Sequence, residues 1–201
     1  MVRGGASIID SDVCKDFLCS KTFGNASLQL CQAIADVAKI LCSEDVNPDC
    51  LTEFISCRLI PLDKGDTKEG KPGVRRIGVG EVLRRLIGKL IRGIIKEDII
   101  AAAGPLHNTE AIVLVDVENA FNDLNRKVAL QSIKHLCPPF FQYLFNTYQR
   151  PDKMVIADYT KHNYIFSNEG CTQGDVTAMA IHTLGIRPLI DNLGEAVDHE
   201  K

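Results

Sequence analysis

The chain has 201 residues, of which 45% are hydrophobic and 24% charged. Those proportions belong to an ordinary globular protein and exclude disorder or a coiled coil as a reading of the whole chain. The net charge of −3 indicates no partner by itself, and the length suits one domain, or one domain with a small appendage.

In chain order, the first residues carry no apolar core of a signal peptide, so an intracellular location is expected, nucleus or cytoplasm being open. Six of the eight cysteines, at 14, 19, 31, 42, 50 and 57, fall within the first 57 residues. They include no C-x-x-C pair and match no zinc spacing, so reduced thiols are expected, with Cys31 and Cys42 as small apolar residues of a helix. Residues 10–20 read as a short helix. Residues 26–44 read as a longer one, with Leu30, Ile34, Val37, Ala38 and Leu41 at helical spacing. Asn47-Pro48-Asp49 is a turn and restart signal. Ser56–Leu62 reads as a strand, and Asp63–Gly73 as a polar loop at a hairpin tip. Residues 81–100 form the clearest helical pattern. Apolar pairs recur every four residues from Val82 to Ile95, and Arg84, Arg85, Lys89, Arg92 and Lys96 fall largely on the other side. Ala111–Val115 is an uninterrupted apolar run ending in Asp116, which fits a strand buried on both faces. Residues 125–136 and 140–148 read as helices around Pro138-Pro139. Residues 154–157 and 164–166 read as a hairpin, and a Gly-rich loop at 168–175 opens a last helix over 177–186. The longest apolar run, Ile99–Gly104, is far too short to span a membrane. This order of elements gives an α+β fold class.

Charge is segregated along the chain. Residues 58–96 hold eleven basic and four acidic side chains, a local balance of +7, which leaves −10 elsewhere. An anionic partner for that segment, nucleic acid or a nucleotide phosphate, fits this segregation, as does a solvated helix face.

Asp116 is the first candidate for chemistry. A carboxylate at the end of a buried strand sits at the edge of the core, where it either faces a cleft or caps the next turn. Its surroundings are more specific. Asp116-Val117-Glu-Asn-Ala-Phe121 continuing to Arg126 resembles the first catalytic motif of reverse transcriptases, D-x-x-x-A-F-x-x-x-x-R. Gln173-Gly174-Asp175 resembles their Q-G-D motif. Ile60-Pro61-Leu62-Asp63-Lys64-Gly65-Asp66 resembles the fingers strand I-P-K-K-G-D. Val74-Arg75-Arg76-Ile77, followed by Gly88-Lys89, resembles the R-P-I…G-K motif. The four occur in the family's order, and the chain thus resembles the reverse transcriptase of a cellular retrotransposon over residues 58–187.

The resemblance implies a partial right-hand polymerase fold, fingers and incomplete palm, over residues 51–201, preceded by an N-terminal helical segment, 1–50. It implies RNA-directed DNA polymerisation by a two-metal mechanism, with Mg²⁺ or Mn²⁺, deoxynucleotides and an RNA or DNA primer-template. Asp116 would hold the metals, helped by the carbonyl of Val117. Phe121 would lie under the sugar; an ordinary core phenylalanine is its other reading. Arg75 would contact the triphosphate, a task suited to a guanidinium. Lys64 would lie near template or triphosphate, or simply be a solvated loop lysine. Gln173 and Gly174 would line the nucleotide pocket, or form a helix-entry turn. Arg84, Arg85, Lys89 and Arg92 would meet nucleic acid.

Two departures limit that expectation. The family's [FY]-x-D-D motif supplies the partner carboxylates, and no Asp-Asp pair occurs in this sequence. The connection between Leu106 and Ala111 is also shorter than the family's. A site missing one carboxylate set cannot clamp two metals. Little or no polymerisation is expected from the chain alone, unless a second chain supplies the missing palm hairpin. The competing expectations are a non-catalytic nucleic-acid-binding remnant built on residues 58–96, and a non-functional fragment. Whether residues 1–50 fold separately or pack on the rest is open at this level.

Overall fold

The computed structural model describes residues 5–7, 10–66, 72–104, 119–157 and 162–198. Among these, eight α-helices accompany one four-stranded mixed sheet, an α+β arrangement. Helix α1 (Ser11–Leu18) starts at Asp10, whose carboxylate accepts from the amide of Asp12. Helix α2 (Gly24–Ser43) follows. The restart signal at Asn47 is a 3-10 turn, Pro48–Leu51, capped by the Asn47 side chain and running into α3 (Thr52–Ile55).

Strand β1 (Cys57–Asp66) pairs antiparallel with β2 (Pro72–Gly80), Cys57 opposite Gly80 and Asp63 opposite Val74, with a bulge between Asp63 and Gly65. Strands β3 (Asp152–Ala157) and β4 (His162–Ser167) form the second hairpin. A short parallel pairing joins the two, from Cys57 opposite Met154 to Leu59 opposite Ile156, giving the order β2-β1-β3-β4. The expected hairpin tip is therefore shorter than 63–73. Pairing continues to Asp66 and resumes at Pro72, which can begin a strand because its missing N–H falls at the end. The expected strand 111–115 lies outside the described residues.

The pattern over 81–100 divides into α4 (Val82–Ile94) and α5 (Lys96–Ala103) instead of one helix. Paired apolar residues every four positions cannot all face one core. The break at Ile95 buries that residue and leaves Ile94 81% exposed. Helices α6 (Arg126–Leu136) and α7 (Pro138–Tyr148) are separated at Cys137; Pro138 and Pro139 occupy the first turn of α7, where a missing N–H costs nothing. Helix α8 (Ala178–Asp198) runs past its expected end, through Pro188. Arg187 bonds forward to Asp191 and across to the carbonyl of Ala103, tying that part of the helix to α5. None of the described helices is long and apolar enough to cross a membrane.

The core lies among α4, α6, α7 and α8. Ile87, Ile133, Phe140, Leu144 and Leu184 are fully buried there. Leu41 of α2 belongs to the same cluster, so the C-terminal part of α2 packs on this core. Asn146 of α7 fastens it: its amide nitrogen donates to the carbonyls of Leu41 and Glu44 at 2.9 and 2.8 Å, and its oxygen accepts from the amide of Val46 at 3.0 Å. The cysteines are all free thiols. Cys42 is half-buried as expected, whereas Cys31 is exposed: it shares the helical face of Ile34, Ala38 and Cys42 but precedes the part of α2 that meets the core. Burial pushes the thiols of Cys57 and Cys171 up to about 12, so both stay protonated.

Replacing Asn146 by Ala takes the partner from the Leu41 carbonyl and the Val46 amide at the end of α2, while the Glu44 carbonyl keeps the Gln142 side chain at 3.0 Å. Stability in urea unfolding should fall by about 3 kcal/mol. A change within a few tenths would show that α2 is held by apolar packing alone.

Candidate nucleotide and nucleic-acid surface

The residues around the Q-G-D loop are organised by two buried arginines. Arg84, on the first turn of α4, is 2% exposed. Its Nη1 donates to the carbonyl of Ile55 at 2.6 Å, and its Nη2 lies 2.7 Å from Asp175 Oδ2. Arg126 opens α6 and acts as a clasp. Nε donates to the carbonyl of Gly170, Nη1 to that of Arg150, each at 2.9 Å, and Nη2 to those of Ser167 and Glu169 at 3.3 Å. Both guanidiniums lie against the ring of Tyr148, that of Arg84 5.2 Å and that of Arg126 5.3 Å from its centroid.

Two buried carboxylates complete the arrangement and behave differently. Asp175 accepts from the Thr177 amide at 2.7 Å and its hydroxyl at 2.6 Å. Burial would raise its pKa, but the adjacent Arg84 and the Thr177 donors outweigh burial and hold it below the usual carboxylate range. Asp152 accepts from the Thr172 hydroxyl at 2.8 Å, while Arg126 stands 3.8 Å away and Oδ1 has no hydrogen-bond partner. Burial therefore dominates, and its pKa is raised despite the neighbouring guanidiniums. Burial also opposes the charge of Arg84, but Asp175 and the surrounding groups keep its pKa well above the ordinary value.

The loop that these contacts hold is tied to the sequence motifs on three sides. The amide of Gly78 on β2 donates to the carbonyl of Gln173 at 2.9 Å. The amides of Cys171 and Gly170 donate to the carbonyls of Phe121 and Leu124 at 2.7 and 2.8 Å. Arg92 of α4 donates to the carbonyl of Val176 at 3.2 Å. Glycines allow the close approaches. Gly174 has φ +110°, and a Cβ there would come within 2.7 Å of the Gly78 carbonyl oxygen. A Cβ on Gly88 would come within 2.8 Å of Val176.

The expected site residues fall into three groups. Asp116 and Val117 lie outside the described residues. Phe121, Gln173 and Gly174 meet at the loop: Phe121 is half-buried, its ring 5.3 Å from that of His182, and the partner approaching Gly174 is the chain's own β2. Lys64, Arg75, Lys89 and Arg92 are exposed, as is Arg76. Arg85 is half-buried and already engaged within the protein.

Arg84 corrects the expectation of a solvent-facing cation. It lies on the buried stripe of α4 with Ile87, Gly88 and Ile91, at the spacing i, i+3, i+4, i+7, and its charge is spent on Asp175. Leu83, Leu90 and Ile94 are exposed instead. Arg126, Tyr148 and Asp152 join the site without being among the residues expected from the sequence. The one sequence signal for Arg126 is its place at the end of the pattern that begins at Asp116. Asp152 sits beside Pro151 at the start of a strand, where sequence pattern favours a surface turn.

Among the described residues no group of three or more His, Cys, Asp and Glu side chains could hold a metal ion. No family model matches the chain, and no curated protein matches it.

Arg84→Met and Asp175→Asn should each cost about 3–5 kcal/mol at neutral pH by leaving a buried charge alone, and the double replacement should recover much of it. The pH dependence separates the two acids. The folded-state pKa of Asp175 lies below its unfolded value, so its contribution is complete above the carboxylate range and is lost as pH falls through the depressed value. Asp152, shifted upward, costs stability as pH rises from its unfolded pKa through its folded one. Urea titrations from neutral to acid pH should therefore show a shallower acid loss in Asp175→Asn than in the wild type. An unchanged slope would remove Asp175 as its source.

Proposed function

We propose that the chain is a reverse-transcriptase-like module of a retroelement, comprising fingers and part of a palm, which binds nucleic acid but does not extend a primer by itself. The observation that carries this reading is the convergence at the 169–176 loop. Gly78, the residue after Ile77, and Gly88 of one motif, Phe121 of another, and Gln173–Asp175 all meet there, although they are separated by up to about 100 residues in sequence. The chemistry of the exposed cations agrees. Lys64, Arg75 and Arg76 project from the β1–β2 hairpin, and Lys89 and Arg92 from α4. Such groups suit phosphate contact, which fixes position without reading bases.

The metal chemistry fits this chain poorly. On the resemblance, Asp116 would bind Mg²⁺ or Mn²⁺ with the carbonyl of Val117. The 201 residues hold no Asp-Asp pair, and one carboxylate cannot clamp the two ions such a reaction uses. The binding role therefore stands without a catalytic step.

The test has two arms. In the first, primer extension on an RNA template with Mg²⁺ or Mn²⁺ is compared between the wild type and Asp116→Asn. No product is expected from either. Extension that disappears in Asp116→Asn would show that another acid or a second subunit completes the site. In the second, RNA affinity is measured against salt. Each phosphate contact on a single strand contributes a slope of about −0.7 in log K against log [salt]. Replacing Arg75, Arg76, Lys89 and Arg92 by Ala should flatten that slope stepwise. Indifference to all four would overturn the binding role.

A further inference from the structure

We propose that α2 is a self-association helix, through which two copies of this chain pair antiparallel. The face of α2 that flanks its core-facing stripe carries Phe23, Ala26, Leu30, Ala33, Val37 and Ile40, the first at its N-cap. Their spacing is 3, 4, 3, 4, 3, the repeat that keeps a seam facing a neighbouring helix. All six are exposed; Phe23 is 66%, Leu30 and Val37 40%, and Ile40 43% exposed. The core-facing residues of the same helix, Ile34, Ala38, Leu41 and Cys42, occupy the adjoining stripe, and none of the six belongs to the core cluster. The seam is thus additional to what the fold of one chain requires.

Side-chain size selects a second copy as the occupant. When the helix runs antiparallel to itself about the midpoint between Leu30 and Ala33, Phe23 meets Ile40, Ala26 meets Val37, and Leu30 meets Ala33. Each alanine then faces a larger residue, which is how facing layers fill space. A parallel arrangement sets Ala26 and Ala33 against themselves and leaves two gaps. The neighbouring surface agrees with the antiparallel register. Helices α1 and α2 leave an open groove of about 640 Å³, with Val13, Phe17, Phe23, Ala26 and Leu30 among its walls. In this register Val37 and Ile40 of the second copy enter that groove, and the twofold axis fills both grooves alike.

The area sets the strength. The exposed seam together with Phe17 and Val13 presents on the order of 500 Å² of apolar surface per copy, taking about 200 Å² for a fully exposed aromatic. A standard interface buries about 800 Å² per partner. The pair therefore belongs to the concentration-dependent class rather than the obligate one. Gln29, Gln32, Asp36 and Lys39 form a polar rim along one side of the seam. This inference rests on α2 and α1 and is independent of the nucleic-acid reading.

The experiment is sedimentation equilibrium of the full chain over a range of concentrations, under reducing conditions so that exposed Cys31 forms no disulfide. The mass should rise from one chain toward two. Leu30→Glu and Val37→Glu should each weaken the association at least tenfold. Both side chains are exposed in the single chain, so circular dichroism and the thermal melt at low concentration should be unchanged. The swap Leu30→Ala with Ala33→Leu conserves the volume of the layer and should retain the dimer, while Leu30→Ala alone should weaken it. A wild type that stays at the mass of one chain, or a dimer indifferent to Leu30→Glu and Val37→Glu, overturns the proposal.

Discussion

Two guanidiniums that both lie against the Tyr148 ring hold the C-terminal loop, and much of the remaining geometry follows from that cluster. Removing Arg84 and Arg126 from water is costly, and the cost is offset only where each finds several partners. Arg126 finds four backbone carbonyls and Arg84 finds Ile55 and Asp175. Those partners come from α3, β4, the turn before β3 and the Q-G-D loop. Satisfying the two charges therefore fixes pieces of chain more than 100 residues apart in sequence. An apolar core alone would leave the relative position of these loops loosely specified, because apolar contacts carry little direction. The phenol of Tyr148 is itself deeply buried, and that burial raises its pKa.

The unequal treatment of the two carboxylates shows which half of the network is tight. Asp175 has a guanidinium at 2.7 Å and two donors from Thr177, so its charge is favoured. Asp152 has one strong donor, a distant guanidinium and one unpartnered oxygen, so its charge is disfavoured. The tight half joins α4 to the loop that meets β2, while the looser half joins β3 to α6. The cation-bearing hairpin is consequently fixed to α4 through the better-satisfied pair.

Much of the fold was legible because local signals and tertiary packing agreed. The helices over 26–44 and 125–136, the Pro138-Pro139 boundary and the hairpin of residues 154–166 all lie where periodicity and turn residues put them. The disagreements have a common cause. The pattern over 81–100 has eight apolar residues in pairs, more than one face can bury, and sequence alone does not say which member of each pair turns inward. The structure chooses Ile87, Ile91 and Ile95, and Arg84 falls on the same stripe. A buried arginine was unreadable there because its partner, Asp175, is about 90 residues away. Arg126 and Asp152 were hidden for the same reason. Of the candidate site, the glycines were the most legible part: Gly88 and Gly174 stand where the backbone of one segment must pass close to another.

The burial of Arg84 also changes what the charge segregation means. Of the eleven basic residues between 58 and 96, Arg58 and Arg84 are buried, and Arg85 is half-buried and engaged. Burial lowers the pKa of Arg58, whose Nε and Nη2 have no hydrogen-bond partner among the described residues. These side chains add nothing comparable to the field that an approaching polyanion meets. Among the described residues, what remains outside is narrower than a cationic helix: Lys64, Arg75 and Arg76 on one hairpin, and Lys89, Arg92 and Lys96 along one side of α4 and the start of α5. Exposed Leu83, Leu90 and Ile94 lie on that helix as well. On the nucleic-acid reading proposed above, the cations would supply phosphate contacts, whereas these aliphatic side chains offer no aromatic face on which a base could stack. The electrostatic footprint read from sequence therefore survives in a smaller, more specific form, set by which arginines the interior has already taken.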